Sequence, residues 1–332
     1  MSLVLQSFIA DRWVGQQAAQ SLHSAINGSE VAQTHSETID FGEAVHHART
    51  VGLPNLLKLD FQERAQRLKA LAKYLGEHKE TLYAISAHTG ATRVDSWVDI
   101  EGGAGTLFAY AGMGSNELPS GNLIHEGPAF PLGKKGGFAG THILVPRGGI
   151  AVHINAFNFP SWGLWEKAAP ALLSGVPVII KPATATAWLT QRMVQDVVNA
   201  GILPVGALSV ICGSSTGLMD ALQHFDVVSF TGSAETAKII RNHRAVSELS
   251  VRCNIEADSL NSALLAPHAT PESEAFKLLV SEVVREMTVK SGQKCTAIRR
   301  IFVPRAVYQA AAKAIAAKLS KISVGNPRNE TV

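Results

Sequence analysis

Between residues 149 and 255, short apolar runs alternate with longer mixed stretches, and this alternation limits the fold more than any other feature. The runs at 149–154, 176–181, 208–212, 227–231 and 249–255 read as strands. The stretches at 159–174, 189–200, 218–224 and 234–241 read as helices. Strands and helices in strict alternation are βαβ units, and they predict a parallel sheet covered on both faces. The fold class is therefore α/β, with a Rossmann-type sheet.

The flanking segments add to this. Short strands are expected near Phe8-Ile9-Ala10 and Trp13-Val14, with a turn at Asn27-Gly28. A helix is expected over 41–52. Another, over 61–88, carries Ala65, Leu68, Leu71, Ala72 and Leu75 at helical spacing and a break near Gly76. A third, over 95–114, contains Gly102, Gly103 and Gly105, which predicts close helix packing or a bend. Residues from about 115 to 150 read as a loop and hairpin excursion; Lys134 and Lys135 there contact either an anion or only solvent, as in a solvated turn. His142 to Val145 reads as an apolar strand. After residue 256 come a strand at 262–266, a helix over 272–290, a strand at 301–303 and a helix over 306–319. The final stretch, 324–332, reads as loop.

Composition excludes several function classes. The chain has 332 residues, 46% hydrophobic and 17% charged, with formal net charge +3. That balance, without blocks of like charge, points to no nucleic-acid or membrane partner. No apolar run reaches the roughly 18 residues of a transmembrane helix, and residues 1–6 lack the pattern of a signal peptide. Cys212, Cys253 and Cys295 are odd in number, widely spaced and without a CxxC pair. They predict neither a disulfide scaffold nor a metal site, and they suit a reducing cytoplasm.

The chemistry converges on Ser291-Gly292-Gln293-Lys294-Cys295-Thr296. A thiol among Gly, Gln, Lys and Thr is not in a core-like context, so Cys295 is either a nucleophile or a surface thiol. Cys212 and Cys253 lie in apolar strands and read as core. Four strand ends are polar or Gly-rich, at Asn155 to Asn158, Lys181 to Thr184, Gly213 to Ser215 and Gly232-Ser233. In open α/β sheets the carboxyl ends of the strands form the ligand crevice. Lys181, closing a buried strand, meets an anion or is salt-bridged. Gly232-Ser233 leads into a helix whose N–H groups can hold a phosphate, although no GxGxxG is present. Asn158 polarises a carbonyl oxygen or caps a helix. Glu256, at the end of an apolar strand, is a general base or a solvated charge.

In this order and on these elements, Phe157-Asn158-Phe159-Pro160, Ile180-Lys181-Pro182, Phe230-Thr231-Gly232-Ser233, Glu256 and Gly292-Gln293-Lys294-Cys295 resemble the aldehyde dehydrogenase superfamily over nearly the whole chain. The segments at 157–187, 256–261 and 282–300 are similar to its CoA-thioester semialdehyde dehydrogenases of aerobic aromatic-compound catabolism, benzoate degradation included. The resemblance implies a dinucleotide-binding domain over 1–255 and the start of a catalytic thiol domain over 256–332. It implies Cys295 as nucleophile, Asn158 with the Cys295 N–H as oxyanion donors, and Glu256 as hydrolytic base. Ile154, Ala156, Phe157, Lys181, Ala183, Thr184, Phe230, Gly232 and Ser233 would hold the cofactor. The substrate implied is an aldehyde, CoA-linked, and the assembly implied is a homo-oligomer, a dimer.

Four departures stand out. Thr184 occupies the position of a carboxylate that bonds the adenine ribose, so NADP is expected over NAD, with Lys181 pairing the 2′-phosphate. Ala257-Asp258-Ser259 replaces Leu-Gly-Gly after the base, and Ala237 replaces a helix glycine. Family members also continue well beyond residue 332, which reads this chain as an N-terminal portion with apolar surface left open. Two other readings remain: a binding protein without turnover, and an enzyme that passes the acyl group to CoA. The presence of Glu256 argues against the second.

Overall fold

The computed structural model describes residues 3–35 and 37–329. Glu330, Thr331 and Val332, the end of the expected terminal loop, lie outside the described residues. The amino-terminal strands are β1 (Leu3–Val4), β2 (Ser7–Ile9), β3 (Arg12–Val14), β4 (Ala18–His23) and β5 (Glu30–His35). Helices α1 (Phe41–His47), α2 (Leu53–Leu57), α3 (Phe61–Glu77), α4 (Lys79–Ser86) and α5 (Arg93–Asn116) follow. The hairpin β6 (Ile124–Leu132) and β7 (Phe138–Leu144) leads into β8 (Ala151–Ile154), α6 (Trp162–Leu173), β9 (Val178–Lys181) and α7 (Ala187–Ala200). Next come β10 (Leu208–Val210), β11 (Val227–Gly232), α8 (Ala234–Asn242), α9 (Arg244–Ser247) and β12 (Arg252–Ala257). The chain closes with β13 (Asn261–Leu264), α10 (Glu274–Thr288), β14 (Ile298–Phe302) and α11 (Tyr308–Leu319).

Among the described residues the large sheet runs β12-β11-β8-β9-β10-β2-β3. The pairs from β12 to β10 are parallel, as the alternation predicts. The expected all-parallel sheet is nevertheless mixed, because the hairpin β2–β3 adds an antiparallel edge beside β10. The chain runs outward from β8 to β10, then returns to place β11 and β12 on the other side of β8. The reversal lies between β8 and β11, and a ligand crevice forms at the carboxyl ends of such a pair.

Local signals account for the helices that frame this point. Capping boxes start α3 at Asp60 with Glu63 and α5 at Thr92 with Asp95. The break near Gly76 falls at His78, between α3 and α4. The helix expected over 41–52 passes through a π-turn at Ala48–Gly52 into α2. Gly102 and Gly103 of α5 mark close packing, not a bend, while Gly105 faces open space. A Cβ on Gly102 would lie 2.3 Å from the Trp162 ring, and one on Gly103 would lie 2.9 Å from Ser161 Oγ.

Three expectations are corrected. The helix over 218–224 is only a 3-10 turn at Leu218–Ala221. His142 to Leu144 belongs to the solvent-exposed hairpin β6–β7, not to the large sheet. The strand expected over 249–255 runs instead from Arg252 to Ala257, Glu256 included, and is an edge strand with Arg252, Asn254 and Glu256 exposed. An edge strand buries one face only, so the alternation there has a period of two. A separate small core gathers Leu265, Phe276, Val280, Val283 and Ala311 between α10, α11 and the sheet β13–β14. That sheet leaves Leu264 and Phe302 exposed.

Candidate active site

The register of the large sheet builds one wall of the site. Lys181, Ile154, Phe230 and Ile255 form a row across β9, β8, β11 and β12, and Glu256 stands one residue beyond, opposite Thr231. Asn155 to Asn158 leave β8 at this height. The opposite wall is the loop from α10 to β14, which carries Cys295.

Two cavities meet at Cys295. One, of about 400 Å³, is framed by Val98, Phe159, Trp162 and the ion pair Glu166–Lys167 at 2.8 Å. The other, of about 690 Å³, is framed by Asn155, Phe157, Ala183, Phe230, Gly232, Ser233, Asp258 and Arg299. Ala156, Asn158, Thr231, Glu256, Lys294 and Cys295 line both. All three residues singled out for chemistry therefore sit where the cavities join.

The Cys295 loop is held by side chains. After α10 ends at Thr288, Lys290 and Ser291 take left-handed backbone conformations with φ of 55° and 52°, uncommon for residues other than glycine. Gln293 O accepts from Asn158 Nδ2 at 2.7 Å, and Cys295 O accepts from Asn261 Nδ2 at 2.5 Å. Glu286, on α10, accepts from Lys294 Nζ at 2.8 Å and Thr296 Oγ1 at 3.0 Å. Both flanks of the thiol are thereby tied to one buried carboxylate. Cys295 itself is exposed.

The surroundings of Cys295 move its pKa upward. Burial raises its pKa first and the Glu256 carboxylate second; the N–H groups of Cys295 and Thr296 oppose this, and the net shift is upward. Cys212 is buried, and burial pushes its thiol up to about 12. Cys253 packs against the core, where burial also raises it. Both match the expected core roles.

The predicted cofactor residues divide into two groups. Ile154, Ala156, Phe157, Phe230, Gly232 and Ser233 gather on β8, β11 and the adjoining loops, and Ala183, just after β9, lines the same cavity as Phe230. Gly232 presses on the Phe230 ring, where a Cβ would approach Cζ to 2.5 Å. Lys181 and Thr184 lie one strand farther out. Lys181 is 8% exposed, and its Nζ donates to the Pro182 carbonyl at 2.6 Å. Burial lowers its pKa. Lys181 stands beside Ile154 of β8, and its ammonium is bonded to its own Pro182 carbonyl. Thr184 lines a polar cavity of about 600 Å³ with Gly213, Ser214, Thr216 and Glu37. A carboxylate thus reaches this region from the amino-terminal segment, although none stands at residue 184.

The helix N-terminus behind Gly232-Ser233 is also not free. Ala234 N donates to Asp258 Oδ1 at 3.1 Å, and Thr236 N to Ser233 Oγ at 3.3 Å. Asp258 takes φ of 52° to do this. An anion bound there would displace an internal carboxylate or sit beside it. Ala237 is fully buried against the sheet, so a methyl group fits where the family resemblance implies a glycine.

Sequence reasoning missed Glu286, Asn261, Asp95 and Asp99. Asp95 and Asp99 recur at i, i+4 in α5, a spacing that shared their face but named no partner.

A family model described as "Aldehyde dehydrogenase family" matches residues 13–332. The chain is 49% identical over 330 residues to 3,4-dehydroadipyl-CoA semialdehyde dehydrogenase of Aromatoleum evansii, covering 99% of this chain and 64% of that protein. It is 27% identical over 334 residues to alpha-ketoglutaric semialdehyde dehydrogenase of Bacillus subtilis (strain 168), covering 98% and 64%. The chain thus spans 64% of the length of these curated relatives. Among solved structures, 3,6-anhydro-L-galactose dehydrogenase in complex with NAP superposes with a TM-score of 0.84 at 21% identity, covering 99% of this chain and 66% of that one. A betaine aldehyde dehydrogenase of Staphylococcus aureus in complex with NAD+ gives 0.82 at 20%, covering 99% and 64%. Fold, order of motifs and family match agree: the chain belongs to the aldehyde dehydrogenase family.

Proposed function

We propose that this chain carries the nucleophile, the oxyanion donors and the base of a dinucleotide-dependent aldehyde oxidation, with a CoA-linked semialdehyde as substrate. The observation that carries the reading is that Cys295, Asn158 and Glu256 line the junction of two cavities, one for each reactant. The substrate class follows from the 49% identical relative, whose name specifies 3,4-dehydroadipyl-CoA semialdehyde. The 1–255 segment is taken as the dinucleotide-binding unit and 256–332 as the start of the thiol unit. A cytoplasmic setting and a homodimeric whole protein complete the reading.

The larger cavity fits a nicotinamide dinucleotide. Its volume is in the usual range for a ligand site, about 300–1,000 Å³. Asn155, buried in its wall, has a side-chain amide with no partner among the described residues. Ile154, Ala156, Phe157, Ala183, Phe230, Gly232 and Ser233 would hold it, with Lys181 and Thr184 toward its adenosine end. NADP is preferred over NAD, because Thr184 leaves residue 184 without the carboxylate that would repel a 2′-phosphate; Glu37 in the same cavity opposes this preference. When bound, the dinucleotide supplies the hydride acceptor at the carbon attacked by Cys295.

The chain's own residues do the rest. The Cys295 thiol gives its proton to solvent before attack, and Glu256 is the carboxylate electrostatically coupled to it. Sγ adds to the aldehyde carbon. Asn158 Nδ2 has one N–H on Gln293 O and a second that can turn to the oxyanion. The Cys295 backbone N–H is the other donor, and such a donor contributes about 3–4 kcal/mol in the transition state. Loss of hydride leaves a thioester on Cys295. Glu256 then takes a proton from water, the water oxygen adds to the acyl carbon, and the C–S bond breaks to give carboxylate and free thiol.

The test is the absorbance of reduced cofactor formed by this chain from a CoA-linked aliphatic semialdehyde with NADP or NAD. Reduction that favours NADP and disappears in Cys295→Ala supports the reading. NADP binding without reduction points to a dinucleotide-binding chain without turnover. Acyl-CoA production from free CoA, unaffected by Glu256→Gln, sinks the hydrolytic step.

A further inference from the structure

Two carboxylates one helical turn apart on α5 reach both halves of the site. Asp95 Oδ1 accepts from the backbone N–H of Lys290 at 2.8 Å, at the first left-handed residue of the Cys295 loop. Its Oδ2 accepts from Thr92 Oγ1 at 2.9 Å and Thr92 N at 3.2 Å. Asp99 Oδ1 accepts from Trp162 N at 2.8 Å and Ser161 N at 3.2 Å, just after the Asn158 turn. Asp95 is 6% exposed and Asp99 0%. The side chain of Lys290 closes the arrangement. Its ammonium lies 5.1 Å from the Phe159 ring centroid, and its charge pulls Asp99 down while burial pushes that carboxyl up to about 6. The bare alternative is that both acids only cap helix ends. Asp95 does help to cap α5, but its bond to Lys290 spans 195 residues and contributes nothing to that cap.

Resting on the reading of Cys295 as nucleophile and Asn158 as donor, we infer that Asp95 and Asp99 are positioning residues that set the separation of these two groups. A rigid helix carries both, so the gap between the loops is fixed by a helical step of about 6 Å. The hydrogen bond between the loops, Asn158 to Gln293, lies at the exposed surface and would not hold that gap alone. Neither acid touches the reacting atoms.

The inference is tested with two probes of Cys295 that need no cofactor. With 4-nitrophenyl acetate, an Sγ–C bond forms, a tetrahedral oxyanion passes, and 4-nitrophenolate leaves, the thiol proton going to solvent. With iodoacetamide, Sγ displaces iodide at a saturated carbon, and no oxyanion forms. Only the first depends on where Asn158 stands. A misplacement of about 1 Å can cost about 10²-fold. We therefore expect Asp95→Ala and Asp99→Ala to lose about 10- to 100-fold in acylation rate. Iodoacetamide labelling of Cys295, followed by peptide mass, should stay within about twofold, since the oxyanion site is not involved. Asp95→Asn and Asp99→Asn keep one acceptor oxygen each and should lose only about threefold in acylation, a fraction of the full misplacement cost. These variants also serve if an alanine variant does not fold. Equal loss of both probes marks a merely structural role and overturns the inference, as does no loss of acylation in any variant. Acylation that persists in Cys295→Ala overturns the nucleophile reading itself, a separate failure.

Discussion

The loops that carry Asn158 and Cys295 face each other across one cavity and are built in opposite ways. Asn158 follows β8, a strand in the middle of the sheet, and precedes α6, whose inner face is buried. Its position is a consequence of core packing, trimmed by the buried Asp99 carboxylate under the start of α6. Cys295 sits between α10 and the two-stranded sheet β13–β14, in a loop with two strained residues and largely exposed neighbours. Its position depends on individual hydrogen bonds with Asp95, Asn261 and Glu286. A loop seated on a core stays folded when one contact is lost, even where a single carboxylate such as Asp99 sets its final position. A group placed by tethers does not, and each tether is a separate point of failure.

Three measurements press on this difference. The largest effect is expected at Asn158. Replacement by Ala should leave the fold and the melting temperature nearly unchanged, while the rate of 4-nitrophenyl acetate acylation falls about 10²- to 10³-fold, the usual cost of one oxyanion donor. A large loss of stability instead would mean that Asn158 is a structural tie and that the core does not place this loop.

Glu286 is the tether to remove on the other side. Glu286→Ala leaves Lys294 and Thr296 without their shared acceptor and should cost about 1–3 kcal/mol. Amide exchange at 293–297 should accelerate, while exchange at 155–158 should not. Burial raises the Glu286 pKa, but the bonds from Lys294 and Thr296 and the charges of Lys294 and Arg285 outweigh it and hold the carboxyl low. A depressed folded-state pKa stabilises above the unfolded value and is lost as pH falls through the folded one. The loop of the unaltered chain should therefore loosen in acid, below the ordinary carboxylate range, and that acid step should be absent in Glu286→Ala. An unchanged acid step would assign it to another group.

The smallest expected effect is a shift in a pH profile. Glu256 is the charge that raises the Cys295 thiol most, after burial. With that charge gone the thiolate forms at lower pH, so Glu256→Gln should move the midpoint of iodoacetamide labelling downward. Glu166 acts in the same direction but is the weakest contributor, and Glu166→Gln should move the midpoint less. The reverse order, or an upward shift, would show that Glu256 does not face the thiol.

Much of this arrangement was legible in the sequence. Short apolar runs between helices specified the parallel part of the sheet, because a strand buried on both faces has to be apolar throughout. The polar strand ends at Asn155 to Asn158 and Gly232-Ser233 marked the crevice, because only there does such a strand meet a ligand. The glycines of α5 announced close packing, and the ring of Trp162 provides it.

What only the tertiary structure decided is which strand ends face the same space, and what else reaches them. Strand order is not written in any single run. The reversal between β8 and β11 brings Asn158, Gly232 and Glu256 together and leaves Lys181 a strand away, bonded to its own Pro182 carbonyl. Asp258 on the N-terminus of α8 and Glu37 beside Thr184 are carboxylates from distant segments, invisible to a reading of local motifs. The same holds for Asp95 and Asp99. The sequence by itself determined the chemistry available at each position. The packing of α5 against α6 and the Cys295 loop decided which of those groups act on one another, because such contacts join residues far apart in the chain.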